Sequence, residues 1–130
     1  MLAVHAVSVA AARTSALKVL GRVRKDGAFS GAALTAELHS ARLSADDTAL
    51  TTHLVYGVLG TQGVLDDAIG RFARGKIEPR IRDVLRLAAY ELLYGRSPVY
   101  AVVDQAVVAA RLIRPQAAGL VNAVAHRLAD

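Results

Sequence analysis

Apolar residues recur at three- and four-residue spacings through nearly the whole chain instead of alternating with polar ones, a periodicity that fits helices and predicts no sheet. Ala, Leu and Arg, all strong helix formers, are abundant. The three prolines divide this pattern, because proline is tolerated in the first turn of a helix and breaks its interior. Pro79 opens a helix through about residue 94, Pro98 one through about 113, and Pro115 the last, through about 128. Upstream, the spacing predicts a first helix over 10–25, with Ala16, Leu17, Val19, Leu20 and Val23 on one side and Lys18, Arg22 and Lys25 on the opposite side. Asp26-Gly27 ends it, glycine being the usual left-handed stop. Ser30 is placed to cap a second helix over 30–39, and Ser44, with Asp47 three residues on, a third. The helical pattern from 45 to 74 carries glycines at 57, 60 and 63, so two helices meeting near Gly60 to Gly63 are expected, with Asp67 and Arg71 pairing on the second. The reading is an all-α fold of about seven helices. The stretch VYAVVDQAVVAARLI after Pro98 is apolar on nearly every side and is expected to be the buried centre.

With 130 residues, 54% of them hydrophobic, the chain has ample material for one core, and a single domain over residues 1–130 is expected. It contains no Cys, which removes disulfide frameworks, thiolate metal sites and cysteine nucleophiles. The opening MLAVHAVSVAAA is interrupted by His5, lacks a basic start and reaches Arg13 short of a membrane-spanning length, so neither signal nor anchor is read there and a cytoplasmic setting is expected.

Enzymatic constellations are missing. The histidines at 5, 39, 53 and 126 never fall at the spacing of a helical metal pair and read as surface or cap residues. There is no phosphate-binding GxxxxGK[ST], no GxGxxG after a strand and no GxSxG. The adjacent carboxylates at 46/47 and 66/67 diverge by about 100° on a helix and suit helix starts better than a shared substrate. No catalytic residue, metal or cofactor is therefore expected.

Charge points elsewhere. The net +5 is concentrated, since Arg13, Lys18, Arg22, Arg24 and Lys25 lie within the first 25 residues, which hold no carboxylate, and the remainder is balanced. Such a cluster suits a polyanion. The residues alone leave this open against a face that merely keeps the helix in solution. An acidic membrane fits less well, because the helix lacks an exposed bulky apolar side. The later positives, Arg71, Arg74, Lys76, Arg80, Arg82 and Arg86, are interspersed with Asp66, Asp67, Glu78 and Asp83 and read as a solvated, mutually paired surface. The tyrosines at 56, 90, 94 and 100 read as core residues with hydroxyls at the rim, whereas Phe29, beside the basic helix, is the better candidate for base stacking. Asn122, within an apolar run, reads as a buried, hydrogen-bonded amide.

Four segments in order resemble the NusB family: Tyr56-Gly57-Val58-Leu59 followed by Leu65-Asp66, VLRLAAYELLY at 84–94 with Pro98 opening the next helix, GLVNAV at 119–124, and RTSALKVL at 13–20 as an opening helix. The resemblance spans nearly the whole chain. Two branches share this pattern: the antitermination factors, and the N-terminal domains of RsmB-type (Sun/Fmu) ribosomal RNA cytosine-5 methyltransferases. ELLYGR and Arg114-Pro115-Gln116 leading into GLVNAV are similar to the second branch. Asp104-Gln105-Ala106 stands where the first usually has Asn-Glu-Ala, and Gly21 where it has an aromatic. The resemblance implies two small helical subdomains and an Arg-rich first helix that binds single-stranded or ribosomal RNA. It also implies ribosomal protein NusE or a second copy as further partners. By it, Arg13, Lys18, Arg22, Arg24 and Lys25 become the candidates for phosphate contacts, Arg114 joins them from the last-helix motif, and Asn122 is structural. The methyltransferases of this type attack with cysteine, so a chain without one is not expected to methylate cytosine alone.

Overall fold

The computed structural model describes the backbone from residue 2 to 130 and side chains from residue 10 onward, so the reading of His5 lies outside the described side chains. Among the described residues there are seven α-helices and no strand: α1 (Leu2–Asp26), α2 (Ser30–Ala41), α3 (Ala45–Gly60), α4 (Gln62–Gly70), α5 (Pro79–Tyr94), α6 (Val99–Ile113) and α7 (Ala118–Ala129), the last preceded by a 3-10 turn at Pro115–Ala117. The chain divides into two compact units, Met1–Gly57 and Val58–Asp130.

In the first unit, α1 starts well before residue 10, since nothing in the Ala-rich opening breaks a helix. It stops where Gly27 takes φ +64°, the left-handed conformation that favours glycine. The helix α2 packs on α1. Two hydroxyls tie the unit together: Ser15 Oγ donates to Glu37 Oε2 at 2.7 Å, and the wholly buried Thr51 hydroxyl lies against the carbonyls of Asp47 at 2.7 Å and Ala12 at 3.4 Å. Ser44 caps α3 by accepting the Asp47 amide at 3.1 Å. Ser30 does not cap α2. It is that helix's first residue, behind an extended Phe29 that offers no side-chain cap.

In the second unit, α5 is the centre, touching α4, α6 and α7. Pro79 opens it as the sequence predicts, and Ile81, Val84, Leu85, Ala88 and Ala89 are all buried. Its end at Gly95 is tight, because a Cβ there would sit 2.6 Å from the Glu91 carbonyl oxygen that the Gly95 amide itself bonds. This corrects the expectation for α6, which buries only Val102, Val103, Ala106 and Ala110 along one side and leaves Tyr100, Val108 and Leu112 exposed. An all-round apolar composition marked it for burial, yet its neighbours cover only one of its faces.

Candidate nucleic-acid interface

The inward side of α1 is lined by Ala12, Ala16, Val19 and Leu20, all buried, with Leu17 and Val23 half-buried at its flanks. Because successive residues turn by about 100°, Lys18, Arg22 and Lys25 fall within an arc of about 60° on the opposite side, and all three are exposed. They rise along about 10 Å of helix axis. Among the described residues none of the three has an ion-pair partner. The result is a row of exposed cations, a form suited to consecutive phosphates.

Three of the expected cations stand apart from that row. Arg24 is exposed but leaves α1 on another side, and a Cβ on Gly21 would lie 3.7 Å from its Nη2. Arg13 is turned inward at 7% exposure, with Nη1 out of reach of solvent, because its position falls near the edge of the packed side of the helix. Arg114 is exposed in the second unit, in extended backbone between α6 and the 3-10 turn.

Phe29, three residues beyond the end of α1, is 87% exposed, with its backbone held extended by the turn that starts at Gly27. A bare aromatic ring four residues from Lys25 has a free face for a base. Sequence reasoning missed Arg42, an exposed cation that ends α2 with φ +52°. The signal was weak, since a helix stop of that conformation is usually announced by glycine or asparagine.

The other cationic region behaves differently. Arg86, 13% exposed, grips Asp66 with both ends of its guanidinium at 2.7 and 2.8 Å, lies 3.7 Å from the buried Asp83, and shares Asp66 with Arg82. The expected pairing is present, but Arg86 and Asp83 are enclosed rather than solvated. Arg71 and Asp67 form the expected exposed pair one helical turn apart at 3.4 Å. Among the tyrosines only Tyr90 is buried; Tyr56, Tyr94 and Tyr100 are exposed, contrary to expectation. Asn122 is exposed as well, because Val121, Val124 and Ala125 take the inward side of α7 and leave position 122 facing away. His39, His53 and His126 are on the surface, and the described residues hold no cluster of metal ligands.

The profile of the NusB family matches residues 10–130. The chain belongs to the NusB family. Its similarity extends to Rv1407 of Mycobacterium tuberculosis, a protein named as a methyltransferase, at 34% identity over 122 residues, covering 91% of this chain and 27% of that protein. The ribosomal RNA small subunit methyltransferase B of Thermus thermophilus is 41% identical over 85 residues, covering 64% of this chain and 21% of the enzyme. This NusB-family chain thus spans about a quarter of the length of the curated relatives it matches. T. maritima NusB has the same fold, with a TM-score of 0.85 over 93% of this chain and 89% of that one, at 23% identity. The NusB fold explains several motif residues as architecture: Pro79 starts α5, Gly95 closes it and Pro98 stands at the cap of α6. It leaves the outward cations of α1 without a packing role. No helix among the described residues is long and apolar enough to cross a membrane.

Proposed function

We propose that this NusB-family chain is a non-catalytic, cytoplasmic RNA-binding module that docks ribosomal RNA, as the N-terminal domain or a stand-alone relative of a ribosomal RNA cytosine-5 methyltransferase. The observation that carries this reading is the row of Lys18, Arg22 and Lys25, exposed and without an ion-pair partner among the described residues. A row of this kind contacts phosphates, and phosphate contacts supply most of the affinity for RNA while leaving sequence unread. Phe29 adds a stacking surface for an unpaired base, which favours single-stranded over duplex RNA. Arg24 flanks the row, Arg114 is the candidate on the second unit, and the buried Arg13 serves packing. The relatives named as methyltransferases support the ribosomal RNA branch, with this chain delivering substrate to catalytic residues elsewhere in a longer protein.

The test is binding of a single-stranded small-subunit ribosomal RNA oligonucleotide across a salt series. Replacing Lys18, Arg22 and Lys25 together by Glu is expected to abolish binding at moderate salt and to reduce the salt slope by about two, given about 0.7 per phosphate contact on a single strand. An unchanged slope in a variant of unchanged helicity overturns the assignment of this face.

A second reading, an antitermination factor binding boxA RNA with ribosomal protein NusE, draws on the likeness of fold to T. maritima NusB over nearly its full length. Competition between boxA and ribosomal RNA oligonucleotides, with and without NusE, separates the two. Preference for boxA that sharpens when NusE is added favours the second.

A further inference from the structure

Tyr56 differs from the other exposed tyrosines in where it stands. Thr51, Leu54, Val55 and Val58 are buried on the inward side of α3, and Tyr56, about 140° round the helix from Thr51, is left 47% exposed. Its hydroxyl lies against the start of α2, where a Cβ on Gly31 would be 3.6 Å from Oη. Gly31 is itself exposed, adds no side chain, and stands two residues, at most about 7 Å of chain, from the bare ring of Phe29. Two rings distant in sequence, Phe29 and Tyr56, therefore border one patch, in the unit that also carries Lys18, Arg22 and Lys25. Among the described residues the Tyr56 hydroxyl has no hydrogen-bond partner and its ring meets no other ring, whereas Tyr94 leans on Tyr90 with centroids 5.5 Å apart.

Charge selects the occupant of this patch. An apolar protein segment laid on the two rings gains nothing from the cations of the same unit. A single RNA strand carries one phosphate for every base, so it uses cations and flat apolar surfaces side by side. We propose that Phe29 and Tyr56 form a two-ring platform on which two adjacent unpaired bases stack, one on each ring, while phosphates of the same strand lie along the cations of α1. Tyr56 becomes a base-contacting residue, and single-strandedness becomes a requirement of the site, because bases inside a duplex keep their faces covered. This inference rests on the RNA reading and carries it from charge to the bases themselves.

Anisotropy titrations compare a short single strand of ribosomal RNA with a strand of equal length built from abasic sugar-phosphate residues, which keeps the charge and removes the faces. Tyr56→Ala is expected to weaken binding of the base-bearing strand by about tenfold and to leave the abasic strand unchanged. Tyr56→Phe keeps the ring and should stay within about twofold of the parent protein. Tyr56→Leu keeps apolar bulk against α2 without an aromatic face, and is expected to lose as much as Tyr56→Ala, which tells lost stacking from lost packing. Because the rings hold different bases, Phe29→Ala/Tyr56→Ala should lose the product of the two single effects. The joint reversal of Lys18, Arg22 and Lys25 should weaken both strands. If it weakens neither, the RNA reading falls and this inference with it. If it weakens both while Tyr56→Ala leaves the base-bearing strand unchanged, or lowers the two strands alike, the platform alone is overturned. A double variant no weaker than Phe29→Ala overturns it as well.

Discussion

The outward face of α1 and the α4–α5 surface hold similar numbers of cations in opposite settings. On α1, Lys18, Arg22 and Lys25 stand in solvent with no carboxylate opposite them among the described residues. On α4 and α5, Arg86 is largely enclosed and clamped on Asp66, with Asp83 and Arg82 beside it. Cation number therefore says little about function, and the disposition of carboxylates says much. A charge already desolvated and paired is committed to holding the fold. A charge left in water keeps its capacity to displace counterions from a polyanion.

This contrast breaks down if the two regions exchange phenotypes. The largest effect is expected from the triple reversal of Lys18, Arg22 and Lys25, which should cost more than about 3 kcal/mol of RNA binding by fluorescence anisotropy at low salt. Its unfolding midpoint in urea should move little. Arg86→Ala is the mirror case. Leaving the buried Asp83 and the half-buried Asp66 without the guanidinium is expected to remove about 3 kcal/mol of stability in urea titration, with RNA affinity retained wherever the protein is folded. Phe29→Ala should weaken single-stranded RNA binding by about 1–2 kcal/mol without a change in stability, which would extend the binding face beyond charge. Ser44→Ala removes the cap on the Asp47 amide and is expected to lower stability by about 1 kcal/mol. Arg71→Ala, which opens a pair exposed on both sides, should change stability by less than about 0.5 kcal/mol, and a larger loss would show that exposed pairs in this unit also hold the fold.

Helix positions were readable because their signals are local. Gly27, Ser44 and Pro79 act within one turn, and each does in the structure what its chemistry predicts. Burial was harder to read, since it depends on which neighbours arrive. The composition of α6 suited burial on any side, and nothing local showed that only its Val102, Val103, Ala106 and Ala110 stripe would be covered. The same blindness misplaced Asn122 and three of the four tyrosines. At the candidate site, the helical period alone put Lys18, Arg22 and Lys25 on one outward face, while the inward turn of Arg13 depended on the packed edge of α1. Arg42 was passed over because its left-handed conformation is a property of the backbone that its residue type conceals.

The short turn through Gly27 has a kinetic side. It joins α1 to α2 by three residues, and the Ser15–Glu37 hydrogen bond closes a segment of modest length. Contacts between near neighbours in sequence form with little loop-closure entropy and tend to form early, whereas the α5–α7 contact must bring together segments separated by the whole of α6. The hairpin that bears the cation row is thus among the parts of the chain able to gather soonest during synthesis.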